Sequence, residues 1–246
     1  MKEVRYFYVP NAPQQNELPE EEAQHAVRVL RMAAGDEMVL IDGAGYFHEA
    51  VITEVAKRYC RYRITATLPQ QKAWTGHLHL AMAPTKNMDR TEWLAEKATE
   101  IGFDELTLLR CQFSERTVVK TERIDKILIS AMKQSRKAVK PTLNGMTGFR
   151  DFIESFTIAK NGNRLIDKYI CHCYEEGPMA EKPLLRDVLV PGQDALVLIG
   201  PEGDFSIDEV HMAEAAGFRS VSLGKARLRT ETAALVAVHL MNLANS

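Results

Sequence analysis

The stretch Ala195-Leu196-Val197-Leu198-Ile199-Gly200-Pro201-Glu202-Gly203-Asp204-Phe205-Ser206-Ile207-Asp208-Glu209 decides the fold class. An unbroken apolar run from Ala195 to Ile199 is the pattern of a strand covered on both faces. It empties into Gly-Pro-Glu-Gly, and a helix is expected to open at Ser206, with Glu209 three residues on completing a capping box. Strand, glycine-bearing loop and capped helix together are a unit of an open α/β sheet, whose ligands bind beyond the carboxyl ends of the strands. Glycine lets the backbone approach a ligand closely, and Pro201 fixes one dihedral of the loop. No Gly-Lys-Ser/Thr follows and the Gly-x-Gly-x-x-Gly spacing is absent, so this is neither a Walker loop nor a dinucleotide fingerprint. Alone, Gly-x-x-Gly serves equally well as a tight strand-to-helix turn.

Toward the C-terminus the arrangement recurs in Leu223-Gly224-Lys225-Ala226-Arg227-Leu228-Arg229-Thr230-Glu231-Thr232-Ala233-Ala234. A short strand, Ser220 to Leu223, ends at glycine, and a loop leads into a helix expected from Thr230, as its N-cap, to Ala244. Glu231 then sits in the first helical turn, where the helix dipole favours a carboxylate by roughly 0.3–1 kcal/mol. That alone is a sufficient structural reason for it. From Ala233 to Leu243 the helix is apolar on most sides apart from His239 and Asn242. Such a helix is expected to be covered on more than one face, with a subunit interface as the second cover.

Toward the N-terminus, residues 73–246 continue as alternating strands and helices, which predicts a largely parallel sheet covered by helices. The strand His77–Ala83, a helix over 89–101 stopped by Gly102, the strand Glu105–Leu109, a helix over 121–137 and a strand near 164–173 carry that pattern. Residues 1–72 differ: four short β-rich runs separated by Gly35-Asp36 and Asp42-Gly43-Ala44-Gly45, with one helix over 20–32, predict a small barrel. The polar Gln70-Gln71-Lys72-Ala73 is the expected linker, giving domains 1–72 and 73–246.

A hydrophobic fraction of 46% and a charged fraction of 26% are those of an ordinary globular chain. No apolar run reaches the roughly 18 residues that span a bilayer, and Met1-Lys2-Glu3-Val4-Arg5 does not open a signal peptide, so a cytoplasmic protein is expected. Four cysteines make no disulfide framework, and Cys171-His172-Cys173 has the spacing of an alternating strand rather than of a metal site. No metal is expected. The net charge of −2 does not mark a nucleic-acid binder, yet residues 120–140 carry seven basic side chains against two acidic. Lys126, Lys133, Lys137 and, if the helix continues, Lys140 share one side of the helical projection opposite Ile124, Ile127 and Leu128, so phosphate contact is expected.

Three segments taken together resemble the RsmE family, bacterial 16S ribosomal RNA uridine N3-methyltransferases of the SPOUT class. They are Ser114-Glu115-Arg116, Gly200-Pro201-Glu202-Gly203, and Leu223-Gly224 with Leu228-Arg229-Thr230-Glu231-Thr232-Ala233. Arg5-Tyr6-Phe7 and His25 to Arg31 are also similar, and the resemblance covers essentially the whole chain. It implies a PUA-like β-barrel that engages RNA, then a SPOUT parallel sheet with a deep trefoil knot near 195–246. Periodicity would not have indicated a knot. It further implies a homodimer acting on 16S rRNA or the small ribosomal subunit, with S-adenosyl-L-methionine as cofactor. Carried over by position, Leu198, Ile199, Gly200, Pro201, Glu202, Gly203, Leu223, Gly224, Leu228, Arg229 and Thr230 would hold the cofactor, largely through backbone groups. Arg5, Arg28, Arg31, Arg116, Lys126, Lys133, Arg136, Lys137 and Lys140 would meet RNA. Two positions depart from the family: Asp204 stands where members often have another glycine, and Gln134-Ser135-Arg136 where many have Cys-Gly-Arg.

The implied chemistry needs few groups. N3 of uridine carries a proton near neutral pH, so catalysis reduces to alignment, proton removal and stabilisation of the uracil anion. Glu202 and Glu231 are the candidate bases, and Arg136 or Arg229 the candidate partners of the anionic oxygens. Two other classes stay open on the residues alone. A nucleotide-dependent transferase would use the Gly-rich loop as a phosphate cradle, with Lys225 at hand but no acidic pair. A noncatalytic RNA-binding adaptor would leave the Gly-Pro-Glu-Gly and Arg-Thr-Glu segments unexplained.

Overall fold

Inward and outward side chains alternate along the first strands, and that alternation builds the first of two units. The computed structural model describes residues 4–158, 166–174 and 182–246. It divides into Met1–Lys72 with Ile129–Lys140, and Ala73–Leu128 with Pro141–Ser246. In the first unit β1 (Arg5–Tyr8), β2 (Glu37–Ile41), β3 (Tyr46–Val55) and β4 (Cys60–Pro69) form one sheet in the order β1-β2-β3-β4. β1 runs parallel to β2 and the other pairs are antiparallel. Phe7, Met38, Leu40, Ala50, Ile52 and Tyr62 point to one buried cluster. The turn between β2 and β3 is fixed by Asp42, whose Oδ1 accepts from the amides of Ala44 at 2.8 Å and Tyr46 at 3.1 Å. The helix expected over 20–32 is shorter: α1 (Glu20–Gln24) continues only as a π-helical stretch, His25–Val29. Residues 129–140 join this unit through Lys133, paired with Glu22, and through the amide of Lys140, which donates to Gly43 O at 2.9 Å.

The second unit is a six-stranded sheet, parallel at every pairing, in the order β10-β8-β9-β5-β6-β7. Its strands are β5 (Leu78–Met82), β6 (Glu105–Arg110), β7 (Thr142–Gly148), β8 (Ile166–Cys171), β9 (Asp194–Ile199) and β10 (Arg219–Val221). Its helices are α2 (Met88–Ile101), α4 (Phe149–Ile158), α5 (Leu185–Val188), α6 (Ile207–Ala215) and α7 (Thr230–Asn245), with the first part of α3 (Thr121–Gln134), whose residues from Ile129 on belong to the first unit. β5 and β9 lie at the centre and are buried throughout. Period two sends Leu78, Leu80, Met82, Val197 and Ile199 into one apolar layer with α2 and α7. Ala81, Leu196 and Leu198 go to the other layer, with Phe152 of α4 and Val210 of α6. Among the described residues no helix is long and apolar enough to cross a membrane.

Several boundaries differ from the sequence reading. α2 begins at Met88 because the side chain of Asn87 caps it, accepting from Asp89 N at 3.1 Å. α3 stops at Gln134, which leaves Lys137 and Lys140 beyond the helix. β7 and α4 were not expected, and residues 164 and 165 of the predicted strand lie outside the described residues. The N-cap of α7 is Arg229, extended at φ −73° and ψ 157°, not Thr230. Within one chain α7 buries a single stripe that includes Ala234, Ala237, Val238 and Met241, while His239 and Leu243 are exposed.

Candidate active site

Sheet order decides where the site forms. β10, β8 and β9 are neighbours and parallel, so Val221, Cys171 and Ile199 end side by side. The loops that follow enclose a cleft of about 490 Å³, within the range of small-molecule sites. Ile199 to Glu202 with Asp204 form one wall, Val221 to Gly224 with Ala226 to Thr230 a second, and Cys171 to Cys173 a third. Arg90 and Ala233 complete the lining.

The loop after β9 is held by its own side chains. Asp204 has a left-handed backbone at φ +66°, a conformation that Asp tolerates better than most residues because its short side chain bonds locally. Its Oδ1 accepts from Phe205 N and its Oδ2 from Cys173 N, both at 2.8 Å. The capping box at α6 is present: Ser206 Oγ accepts from Glu209 N at 3.2 Å, and Glu209 Oε2 from Ser206 N at 2.8 Å. Gly200 has no room for a side chain, since a Cβ there would lie 3.0 Å from Phe205 N. The amides of Asp204, Phe205 and Ser206 are therefore taken internally, by Pro201 O, Asp204 and Glu209. With three carboxylates at hand and Lys225 outside the lining, this loop is the opposite of a phosphate cradle.

The third wall is electrically quiet. Burial, with Lys182 nearby, lowers His172 to about 4, so its imidazole is neutral at physiological pH, with Nε2 2.9 Å from Ser220 Oγ. Burial also pushes the Cys171 thiol up to about 12. Charge collects elsewhere. The exposed Glu202 accepts the amide of Lys86 on Oε1 at 2.9 Å. Lys86 O accepts from Arg116 Nη2 at 2.7 Å, and Lys86 Nζ pairs with Glu115 at 2.7 Å, a contact that raises the lysine pKa. Arg90 Nη1 lies 3.6 Å from Glu231 Oε1. The segment after β5, residues 84–90, thus touches all three stretches that carry the family resemblance.

Of the expected cofactor residues, Ile199, Gly200, Pro201, Glu202, Leu223, Gly224, Leu228, Arg229 and Thr230 line the cleft, while Leu198 and Gly203 do not. Leu198 is fully buried among the residues packed on α4 and α6. Gly203 backs onto Phe113, whose Cβ would lie 3.1 Å from a Cβ at that position. Of the expected catalytic residues, Glu202 and Arg229 face the cleft, and Glu231 is buried outside its lining. Arg136 lies in the first unit, left-handed at φ +52°, its guanidinium 5.4 Å from the Tyr6 ring centroid. Arg5, Arg28, Arg31, Lys133, Lys137 and Lys140 belong to that unit too, whereas Arg116 and Lys126 belong to the second. Sequence reasoning missed Arg90, Lys86 and the Cys171–Cys173 wall. A strand ending at 83 and a helix starting at 89 were a signal for the first two. Among the described residues no group of three His, Cys, Asp or Glu could hold a metal.

Comparison with known proteins gives the chain a family. A family model of the RNA methyltransferase domain matches residues 72–242, and one of the RNA methyltransferase PUA domain matches residues 18–65. The chain belongs to the RNA methyltransferase family. A relative, ribosomal RNA small subunit methyltransferase E of Synechocystis sp., is 30% identical over 220 residues, 87% of this chain and 68% of that protein. A solved structure from Porphyromonas gingivalis, described as a "probable rRNA-methyltransferase", is 40% identical, with 98% of each chain covered and a TM-score of 0.88. Ribosomal RNA small subunit methyltransferase E of Neisseria gonorrhoeae, solved bound to S-adenosyl methionine, is 26% identical, with 98% of each chain covered and a TM-score of 0.81.

Proposed function

We propose that this RNA methyltransferase uses S-adenosylmethionine to methylate N3 of a uridine in 16S ribosomal RNA, in the cytoplasm, during maturation of the small ribosomal subunit. The observation that carries the reading is the convergence of the loops after β9 and β10 on one cleft of about 490 Å³. The cleft suits the cofactor. Its Cys171–Cys173 wall is uncharged near neutral pH, and Gly224, at φ +135°, would set a Cβ in open space, so backbone is exposed where an adenosine would lie. Ile199, Gly200, Pro201, Leu223, Gly224, Leu228 and Thr230 would hold it. When bound, it supplies a methyl group already made electrophilic by a sulfonium.

What remains for the chain is to align the base, take one proton and hold the resulting anion. Two carboxylates line the cleft, and Asp204 gives both of its oxygens to backbone amides, so we assign the N3 proton to Glu202; placed general bases contribute roughly 10²–10⁴-fold. Arg229 offers a guanidinium to the anionic oxygens of uracil. The first unit supplies the RNA footing, with Arg5, Arg28, Arg31 and Arg136 exposed as candidate phosphate contacts beside Lys133, Lys137 and Lys140. We further infer that the chain is knotted near 195–246 and works as a homodimer, with the uncovered side of α7 around Leu243, 62% exposed, as part of the interface. Mass spectrometry of small-subunit RNA from cells with and without the gene tests the reading. One methyl on one uridine should disappear, and an unchanged methylation pattern would refute it.

A further inference from the structure

We propose that Arg90 is a second anion-holding residue of the cleft, beside Arg229, and that Glu231 is its positioning residue. The proposal rests on the methyl-transfer reading above. Arg90 is the third residue of α2; its side chain is 41% exposed and forms part of the cleft lining. Glu231, in the first turn of α7, has a side chain only 10% exposed and does not line the cleft. Its Oε1 lies 3.6 Å from Arg90 Nη1, while its Oε2 is buried with no hydrogen-bond partner among the described residues.

A buried carboxylate oxygen left unpaired is costly, and the helix dipole offsets only a small part of that. The geometry assigns the cost a purpose. A fixed negative charge behind the wall holds a guanidinium at the wall's face, and the guanidinium has five donors, more than one carboxylate oxygen can take. The matching ligand chemistry is an anionic oxygen. Two sources of it enter a methyl-transfer cleft: the α-carboxylate of the cofactor and the oxygens of a deprotonated pyrimidine. This arrangement also removes Glu231 from the list of bases, because a carboxylate behind the lining does not meet a base in the cleft.

The test is a calorimetric titration of wild type, R90Q, R90K, E231Q and R90Q/E231Q with S-adenosylhomocysteine and with 5′-methylthioadenosine, which lacks the carboxylate. Single-turnover pH–rate profiles on small-subunit RNA accompany it. If the cofactor supplies the oxygen, R90Q weakens S-adenosylhomocysteine by about 10–100-fold, the scale of a hydrogen bond to a charged group, and leaves 5′-methylthioadenosine unchanged. If the base supplies it, both affinities hold, the rate falls about tenfold or more, and the pH–rate profile moves to higher pH because N3 ionises less readily. In either case E231Q shows a smaller loss of the same kind, the double variant is no worse than R90Q, and R90K recovers part of the loss. Unchanged affinity together with an unchanged profile in R90Q, or additive losses in the double variant, would overturn the proposal. Failure of the methyl-transfer reading looks different, since wild type would then bind neither nucleoside.

Discussion

The two ends of the parallel sheet use the same kinds of residue to opposite ends. At the amino ends of the strands, Asp104 Oδ2 accepts from Trp74 Nε1 at 2.9 Å and from Leu78 N at 2.8 Å. Next to it Glu105 accepts from Asn144 at 2.6 Å and lies 2.8 Å from His77 Nε2, while His79 Nε2 is 2.8 Å from Thr107 Oγ1. At the carboxyl ends, Glu202 is engaged on one oxygen by Lys86 and Glu231 keeps one buried oxygen without a partner among the described residues. A closed polar network holds strands in register. An incomplete one costs stability, and it offers groups to a ligand only where it borders a cleft, as at Glu202 and Arg90; Asp167, at the amino end of β8, also buries an oxygen without a hydrogen-bond partner among the described residues, but it lines no cleft of this kind.

That contrast can be broken from either end. The largest effect is expected from Glu202→Gln, which should lower turnover by roughly 10²–10⁴-fold while melting temperature and cofactor affinity stay near wild type; rapid-quench kinetics and calorimetry read both. At the closed end Asp104→Ala strands two buried donors and should cost about 2–4 kcal/mol of stability. Urea unfolding measures that loss, and the folded protein should still bind cofactor normally. Within the loop after β9 Asp204→Ala should be about 1–2 kcal/mol less stable than Asp204→Gly, because only the first keeps a Cβ in the left-handed region without the side-chain bonds that Asp uses there. Equal stability of the two would deny that the backbone at position 204 is strained for a residue with a Cβ.

The smallest effect is a pH dependence. The hydrogen bond to Glu105 raises His77, and the same bond lowers Glu105 to about 2, whereas burial holds His79 at about 4. A raised histidine contributes stability that is complete below its unfolded value and fades as pH rises through its folded value. The difference in melting temperature between wild type and His77→Gln should therefore be larger at pH 5.5 than at pH 8.5. For a partly exposed pair worth ~0.2–1 kcal/mol, a change of about 1–3 °C is the expected scale. Comparing the two proteins at each pH removes the part of His79's opposite tendency that comes from burial, its largest cause, since that part is common to both.

Elements that carry their own local signals were readable in the sequence. The apolar run Ala195–Ile199, the Ser206–Glu209 capping box and the Gly102 stop each rest on neighbours in the chain. β7 was not readable, because Asn144 and Gly145 disfavour a strand and it is pairing with β6, across a register shift, that holds it at the sheet edge. The site divides in the same way. Gly200, Glu202, Leu223 and Gly224 announce themselves as strand-end loops. Arg90 and Cys171 reach the same cleft only because β8 and β5 flank β9, an order that no local pattern encodes. Asp204 could be seen as a departure from the family, but not as the residue that ties the loop to Cys173.

A crystal structure of the protein grown with S-adenosylmethionine puts the whole account at risk in one measurement. The nucleoside should lie between residues 199–204 and 222–230, against the Cys171–Cys173 wall and with its methyl group turned toward Glu202 and Arg229. Density for the cofactor anywhere else, or those two loops closed on each other with no ligand between them, would contradict it.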